Sequence, residues 1–85
     1  MFPKLELYYF DACPFCQIVL QAIKSLGLKV TYNHIHQEPR HHEKLYRDTG
    51  RGTTPCLYID GKPMFESADI IEWLNKNQDK LEKES

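Results

Sequence analysis

The sequence predicts an α/β fold of the order βαβ-α-ββα, a four-stranded mixed sheet with helices on both faces. Three observations predict it. The stretch Cys13-Pro14-Phe15-Cys16 sits where an apolar strand pattern gives way to a helical one. Strand, helix and strand then follow within about thirty residues, which makes a βαβ unit with parallel strands. Asp60-Gly61 separates two short apolar runs and signals a two-residue hairpin.

Leu5 to Phe10 is rich in aromatics and reads as the first strand. Phe15, Ile18, Val19, Ala22, Ile23 and Leu26 recur at helical spacing, so a helix is expected from Pro14 to Leu26. Pro14 suits its first position, where a missing N–H costs nothing, and Gly27 suits its end. Lys29 to Ile35 is β-branched and aromatic and reads as the second strand. Gln37-Glu38-Pro39-Arg40 reads as a break. A mostly polar helix is expected from His41 to Thr49, closed by Gly50, with Leu45 and Tyr46 facing the core. Arg51 to Pro55 reads as a loop. Cys56 to Ile59 and Pro63 to Phe65 are the hairpin strands, and Pro63 belongs at a sheet edge. Ser67 is expected to cap the last helix, whose apolar face is Ile70, Ile71, Trp73 and Leu74. The tail from Lys80 to Ser85 reads as a solvated or frayed end.

The C-x-x-C pair is the centre of the chemistry. It falls at a helix start, where partial positive charge and unpaired N–H groups favour thiolate over thiol. Cys13 is therefore the candidate attacking sulfur. Cys16, one turn later, is within reach as the resolving sulfur. Zinc is the bland alternative, but it needs two further ligands at compatible spacing, and Cys56 in an apolar run is the only other cysteine. Cys56 is expected to be buried and inert. His34, His36, His41 and His42 cluster in sequence, yet they read as a polar strand end and an exposed helix start rather than a metal site.

The 85 residues suffice for one small domain, residues 1–85. A hydrophobic share of 41% argues against disorder. A net charge of -1 offers no pull toward nucleic acid or an anionic membrane. No apolar run is long enough to span a bilayer, and Met1-Phe2-Pro3-Lys4 leads into a strand without a leader pattern. Three cysteines are not a disulfide framework, so a reducing, cytoplasmic setting is expected.

Three motifs then coincide. Cys13-Pro14-Phe15-Cys16 resembles the active site of glutaredoxins, which usually carry tyrosine at the third position. Thr53-Thr54-Pro55 resembles their T-V-P loop, whose proline is cis. Glu66-Ser67-Ala68-Asp69-Ile70 resembles their glutathione-binding turn, in the form shared with glutathione transferase N-terminal domains. The resemblance covers nearly the whole chain. It implies a thioredoxin-like (glutaredoxin) fold and glutathione-dependent thiol–disulfide exchange, with Cys13 attacking and Cys16 resolving. It also implies a glutathione site formed by Phe15, Thr54, Pro55, Glu66, Ser67 and Asp69. In that site the Thr54 backbone pairs with the cysteinyl unit, and the start of the last helix holds the γ-glutamyl carboxylate. Glu66 or Asp69 would meet the α-ammonium group, and Tyr8 and Phe15 would flank the groove.

Two positions depart from the glutaredoxin pattern. Phe10 replaces a common lysine, and Gly52 replaces a common arginine, leaving Arg51 and Arg40 as candidates for the glycyl end. The partners implied are glutathione and disulfide-bonded or glutathionylated proteins. No nucleic acid, membrane or metal is expected, and the chain is expected to be a monomer. Two other functions compete. One is a module binding a glutathione-ligated iron–sulfur cluster, against which the second cysteine counts. The other is a glutathione transferase fragment, an N-terminal-like domain; the sequence stops where that family's helical domain would begin, so a second substrate pocket is expected to be missing.

Overall fold

A computed structural model describes residues 1–84. The strands are β1 (Leu5–Tyr9), β2 (Thr31–His34), β3 (Cys56–Ile59) and β4 (Lys62–Phe65). The helices are α1 (Pro14–Leu26), α2 (Pro39–Thr49) and α3 (Ser67–Asn77). The sheet order is β2-β1-β3-β4; β1 runs parallel to β2 and antiparallel to β3, and β3 runs antiparallel to β4. This is the expected thioredoxin-like sheet, and Pro63 lies on its edge strand.

Strand alternation builds two cores, one on each face. Leu5, Leu7 and Leu57 point to one face, where Val19 and Ile23 of α1 and Ile70 and Leu74 of α3 close over them. Tyr8, Cys56 and Tyr58 point to the other, against Leu45 of α2 and Ile35. At the hairpin, Asp60 and Gly61 both take positive φ, 51° and 84°, which matches the right-handed twist of the flanking strands. Asp60 also ties down the N-terminal segment, since the Lys4 N–H donates to its Oδ1 at 2.7 Å.

Several elements differ from the sequence reading. The first two strands are shorter: β1 ends at Tyr9, and β2 runs Thr31–His34. Helix α2 begins at Pro39, not His41, because proline at the first helical position starts a helix as readily as it interrupts one. Tyr46 is 60% exposed, so Leu45 is the buried anchor of α2. On α1, Phe15 and Ile18 stay exposed although they fit the apolar periodicity; they occupy the end that carries the cysteines. Ser67 is the first residue of α3 and not its cap. The capping position is Glu66, and no side chain caps the helix there.

The tail is docked, not solvated. A short 3-10 turn, Gln78–Lys80, delivers Leu81 into the α1–α3 core, where it is 3% exposed. The Lys29 N–H donates to the Glu82 carbonyl at 2.9 Å, and the Glu84 N–H to the Gly27 carbonyl at 2.7 Å. Ser85 lies outside the described residues. No described helix is long and apolar enough to cross a membrane.

Candidate active site

Cys13 is itself the N-cap of α1. Its backbone is extended, and its Sγ accepts the Cys16 N–H at 3.2 Å, so the sulfur satisfies one of the helix's unpaired donors. Its carbonyl meanwhile accepts the Gln17 N–H at 3.0 Å. The sequence placed Cys13 inside the first turn; the cap position aims the sulfur more directly at the helix start. Across from it, the Thr54 hydroxyl lies 3.8 Å and the Thr54 carbonyl 3.9 Å from Sγ. The Thr54–Pro55 peptide is cis.

Both sulfurs are buried, Cys13 at 6% exposed and Cys16 fully. Burial, and next the hydrogen bond with Cys13, push the Cys16 thiol up to about 11. Cys16 therefore keeps its proton at neutral pH. Both are free thiols.

A groove of about 240 Å³ runs beside Thr54 and is lined by Phe15, Thr53, Thr54 and Pro55 on one side and by Arg51, Phe65, Glu66 and Ser67 on the other. It brings together five of the six expected glutathione contacts. The sixth, Asp69, is exposed in the first turn of α3 and outside the lining. Glu66 holds φ at +72°, a conformation that costs a non-glycine residue roughly 1–3 kcal/mol. The strain sits at the groove wall.

The Arg51 guanidinium pairs with Glu66 at 3.1 Å and lies over the Phe65 ring, 4.1 Å from its centroid. Arg51 thus lines the groove beside Glu66 and Phe65. Arg40 pairs with Glu38 and is not in the lining. Phe65 escaped the sequence reading, and Thr53 entered it only as part of the Thr53-Thr54-Pro55 loop; their adjacency to Glu66 and Thr54 was the available signal.

Three other expectations resolve. Tyr8 is 1% exposed and packs on Tyr58 at 4.7 Å between ring centroids, so it is core and does not flank the groove. Phe10 stacks on His36 at 4.6 Å, and the His42 ring covers Gly52. Among the described residues, no group of three or more His, Cys, Asp or Glu side chains is arranged to hold a metal ion.

Cys56 is fully buried, and burial pushes its thiol up to about 12. Native alkylation with mass mapping is expected to spare it; labelling as fast as Cys13 would make it a third participant. A free thiol ionises near about 8.5, so the unfolded chain loses this proton first. Stability is then fully present below about 8.5 and falls as pH rises toward 12. Urea midpoints measured at pH 8 and pH 10.5 should drop less in Cys56→Ala than in wild type. An equal drop would place the alkaline loss elsewhere.

A family model described as the glutathione S-transferase N-terminal domain matches residues 7–82. The chain belongs to this family. Among solved structures, an epsilon-class glutathione S-transferase from housefly, Musca domestica, matches with a TM-score of 0.77 at 27% identity, over 88% of this chain and 35% of that one. The thioredoxin-like protein BC3987 matches with a TM-score of 0.73 at 26% identity, over 86% of this chain and 96% of that one. A wheat glutaredoxin matches with a TM-score of 0.68 at 26% identity, over 86% of this chain and 71% of that one. A search of curated proteins finds no match. The chain spans about a third of the length of the first transferases it matches. Members of the transferase N-terminal domain family and glutaredoxins share the thioredoxin-like fold, and the resemblance drawn from the three motifs meets the family model there.

Proposed function

We propose that this chain is a dithiol, glutaredoxin-type oxidoreductase that uses glutathione to reduce disulfides and glutathione mixed disulfides. The observation that carries the reading is the Cys13 sulfur. It caps α1, accepts the Cys16 N–H and faces Thr54 beside the groove. The Cys13 thiolate attacks the glutathione sulfur of a mixed disulfide, and the substrate leaves as its thiol after taking a proton from solvent. A second glutathione thiolate then attacks the same sulfur, releasing oxidised glutathione and returning Cys13. With a protein disulfide, Cys13 first forms a mixed disulfide with the protein. Cys16 gives up its proton and attacks Cys13, forming the Cys13–Cys16 disulfide and releasing the reduced protein, and two glutathiones then reduce the pair.

The groove supports glutathione as the co-substrate. Its cysteinyl unit pairs with the Thr54 backbone, its γ-glutamyl carboxylate sits on the uncapped N–H groups near Ser67, and its α-ammonium meets Glu66. Residues 1–85 act here as one domain in a cytoplasmic, reducing setting.

Turnover of a small glutathione mixed disulfide, coupled to reduction of the oxidised glutathione released, tests the proposal; no turnover with folded, reduced protein would sink it. A second reading, favoured by the family match, is a transferase N-terminal domain that conjugates glutathione to electrophiles. Conjugation of 1-chloro-2,4-dinitrobenzene without disulfide turnover would select it. A visible absorption band in freshly purified protein that depends on glutathione would select the iron–sulfur module.

The strained Glu66 allows stability and binding to be separated. Glu66→Gly removes strain of about 1–3 kcal/mol and adds about 0.5–1 kcal/mol of unfolded-chain entropy. The fold is expected to hold or gain stability while the KM for glutathione rises roughly tenfold, the scale of one lost charged hydrogen bond. A stability loss with unchanged KM would mean that Glu66 serves the fold alone.

A further inference from the structure

The loop that delivers Cys13 is held from two sides. From α1, the Gln17 side-chain amide donates to the Asp11 carbonyl at 2.7 Å. From β2, the His34 ring meets the Asp11 carboxylate, with Nε2 3.1 Å from Oδ2. The backbone N–H groups of His36 and Gln37 both point at His34 Nδ1, at 3.2 and 3.1 Å. Nδ1 must accept from both, so the ring proton sits on Nε2 and donates to Asp11. The ring is further fixed against Tyr9, edge to face at 5.0 Å between centroids, and its side chain is 11% exposed. The Asp11 side chain is 72% exposed. A largely buried imidazole with both nitrogens engaged thus reaches out to an exposed carboxylate two residues before the attacking cysteine.

We infer that His34 is a positioning residue for Cys13: it clamps Asp11 and so fixes the turn that presents the sulfur at the start of α1. The inference rests on Cys13 being the attacking sulfur. The two ring nitrogens do separate work. Nδ1 closes the turn between β2 and α2, which serves the fold. Nε2 holds the Cys13 loop, which serves the chemistry. The charge of Asp11 is not the useful part, because a carboxylate beside a sulfur disfavours its thiolate.

Two amide replacements separate the nitrogens. Asn places its oxygen near the Nδ1 position and keeps the turn; Gln places its amide nitrogen near the Nε2 position and keeps the Asp11 bond. His34→Asn is expected to melt near wild type while alkylation of Cys13 by iodoacetamide slows about five- to tenfold, the worth of one hydrogen bond. kcat should fall with it, and KM for glutathione should hold. His34→Gln is expected to lose thermal stability and keep the Cys13 rate. Asp11→Ala should slow Cys13 like His34→Asn, opposite in sign to the effect of removing a negative charge. Asp11→Asn, which keeps an acceptor, should match or exceed the wild-type rate.

The inference is overturned if reactivity follows stability, with His34→Gln slow and His34→Asn normal. It is also overturned if Asp11→Ala and Asp11→Asn speed alkylation equally, or if all four variants react at the wild-type rate. Asp11 is exposed, so its variants decide the matter even if a His34 variant fails to fold. Alkylation needs no glutathione. Loss of the proposed activity in wild type would therefore sink the functional reading and leave this test standing.

Discussion

Cys13→Ser is expected to abolish turnover of both protein disulfides and small glutathione mixed disulfides, while Cys16→Ser separates the two. Cys13 alone caps a helix, and its sulfur lies against Thr54, which lines the groove; Cys16 and Cys56 are fully buried with thiols pushed up to about 11 and 12. Nothing replaces Cys13 as the attacking sulfur, so the loss should reach the assay's floor. Removing glutathione from a mixed disulfide needs only Cys13 and an incoming glutathione. Reducing a protein disulfide is helped by Cys16, which attacks from one turn away at high effective concentration. Cys16→Ser is therefore expected to keep most activity on small mixed disulfides and to lose roughly ten- to a hundredfold on protein disulfides. Circular dichroism on the same preparations guards against misfolding. Loss of both activities by a folded Cys16→Ser protein would show an obligatory dithiol enzyme. Activity surviving in Cys13→Ser would remove Cys13 from its role.

Features governed by local rules were legible in the sequence. The span of α1, its Gly27 end and the Asp60-Gly61 hairpin follow from periodicity, left-handed caps and turn chemistry. The cysteine pair at a strand–helix junction was legible as a sulfur at a helix start with a second sulfur one turn on, because a helix start follows from local pattern and capping. Features that depend on distant packing were not legible. Pro39 had two local meanings, and the β2–α2 turn decides between them. Phe15 and Ile18 obey the helical repeat, yet both stay exposed at the start of α1. Arg51 falls at the Glu66 end because the groove places it beside Phe65, which lies fourteen residues on. The Asp11–His34 contact joins the loop after β1 to the end of β2, which the parallel pairing of β1 with β2 brings side by side.

The docked tail yields the second large effect. Leu81→Ala is expected to destabilise the protein by about 2–5 kcal/mol, as for other buried leucines cut to alanine. Leu81 is 3% exposed in the same core as Ile23, Leu28 and Leu74, and the surrounding residues are held by backbone hydrogen bonds to Lys29 and Gly27. The charged run Lys80 to Glu84 hides this, because one leucine among charges carries no periodic signal. A domain of this size has about 5–15 kcal/mol in total, so the variant should melt well below wild type. Lys83→Ala is the matching control. Its ammonium reaches the Leu26 carbonyl at 3.3 Å on the exposed surface, and its loss should cost under about 1 kcal/mol. Urea denaturation of both variants checks the pair. If Leu81→Ala unfolds within about 0.5 kcal/mol of wild type, the tail is not part of the core in solution. A loss in the expected range would mean that α1 and α3, which carry the cysteines and the Ser67 end of the groove, are held together in part by a residue beyond the last helix.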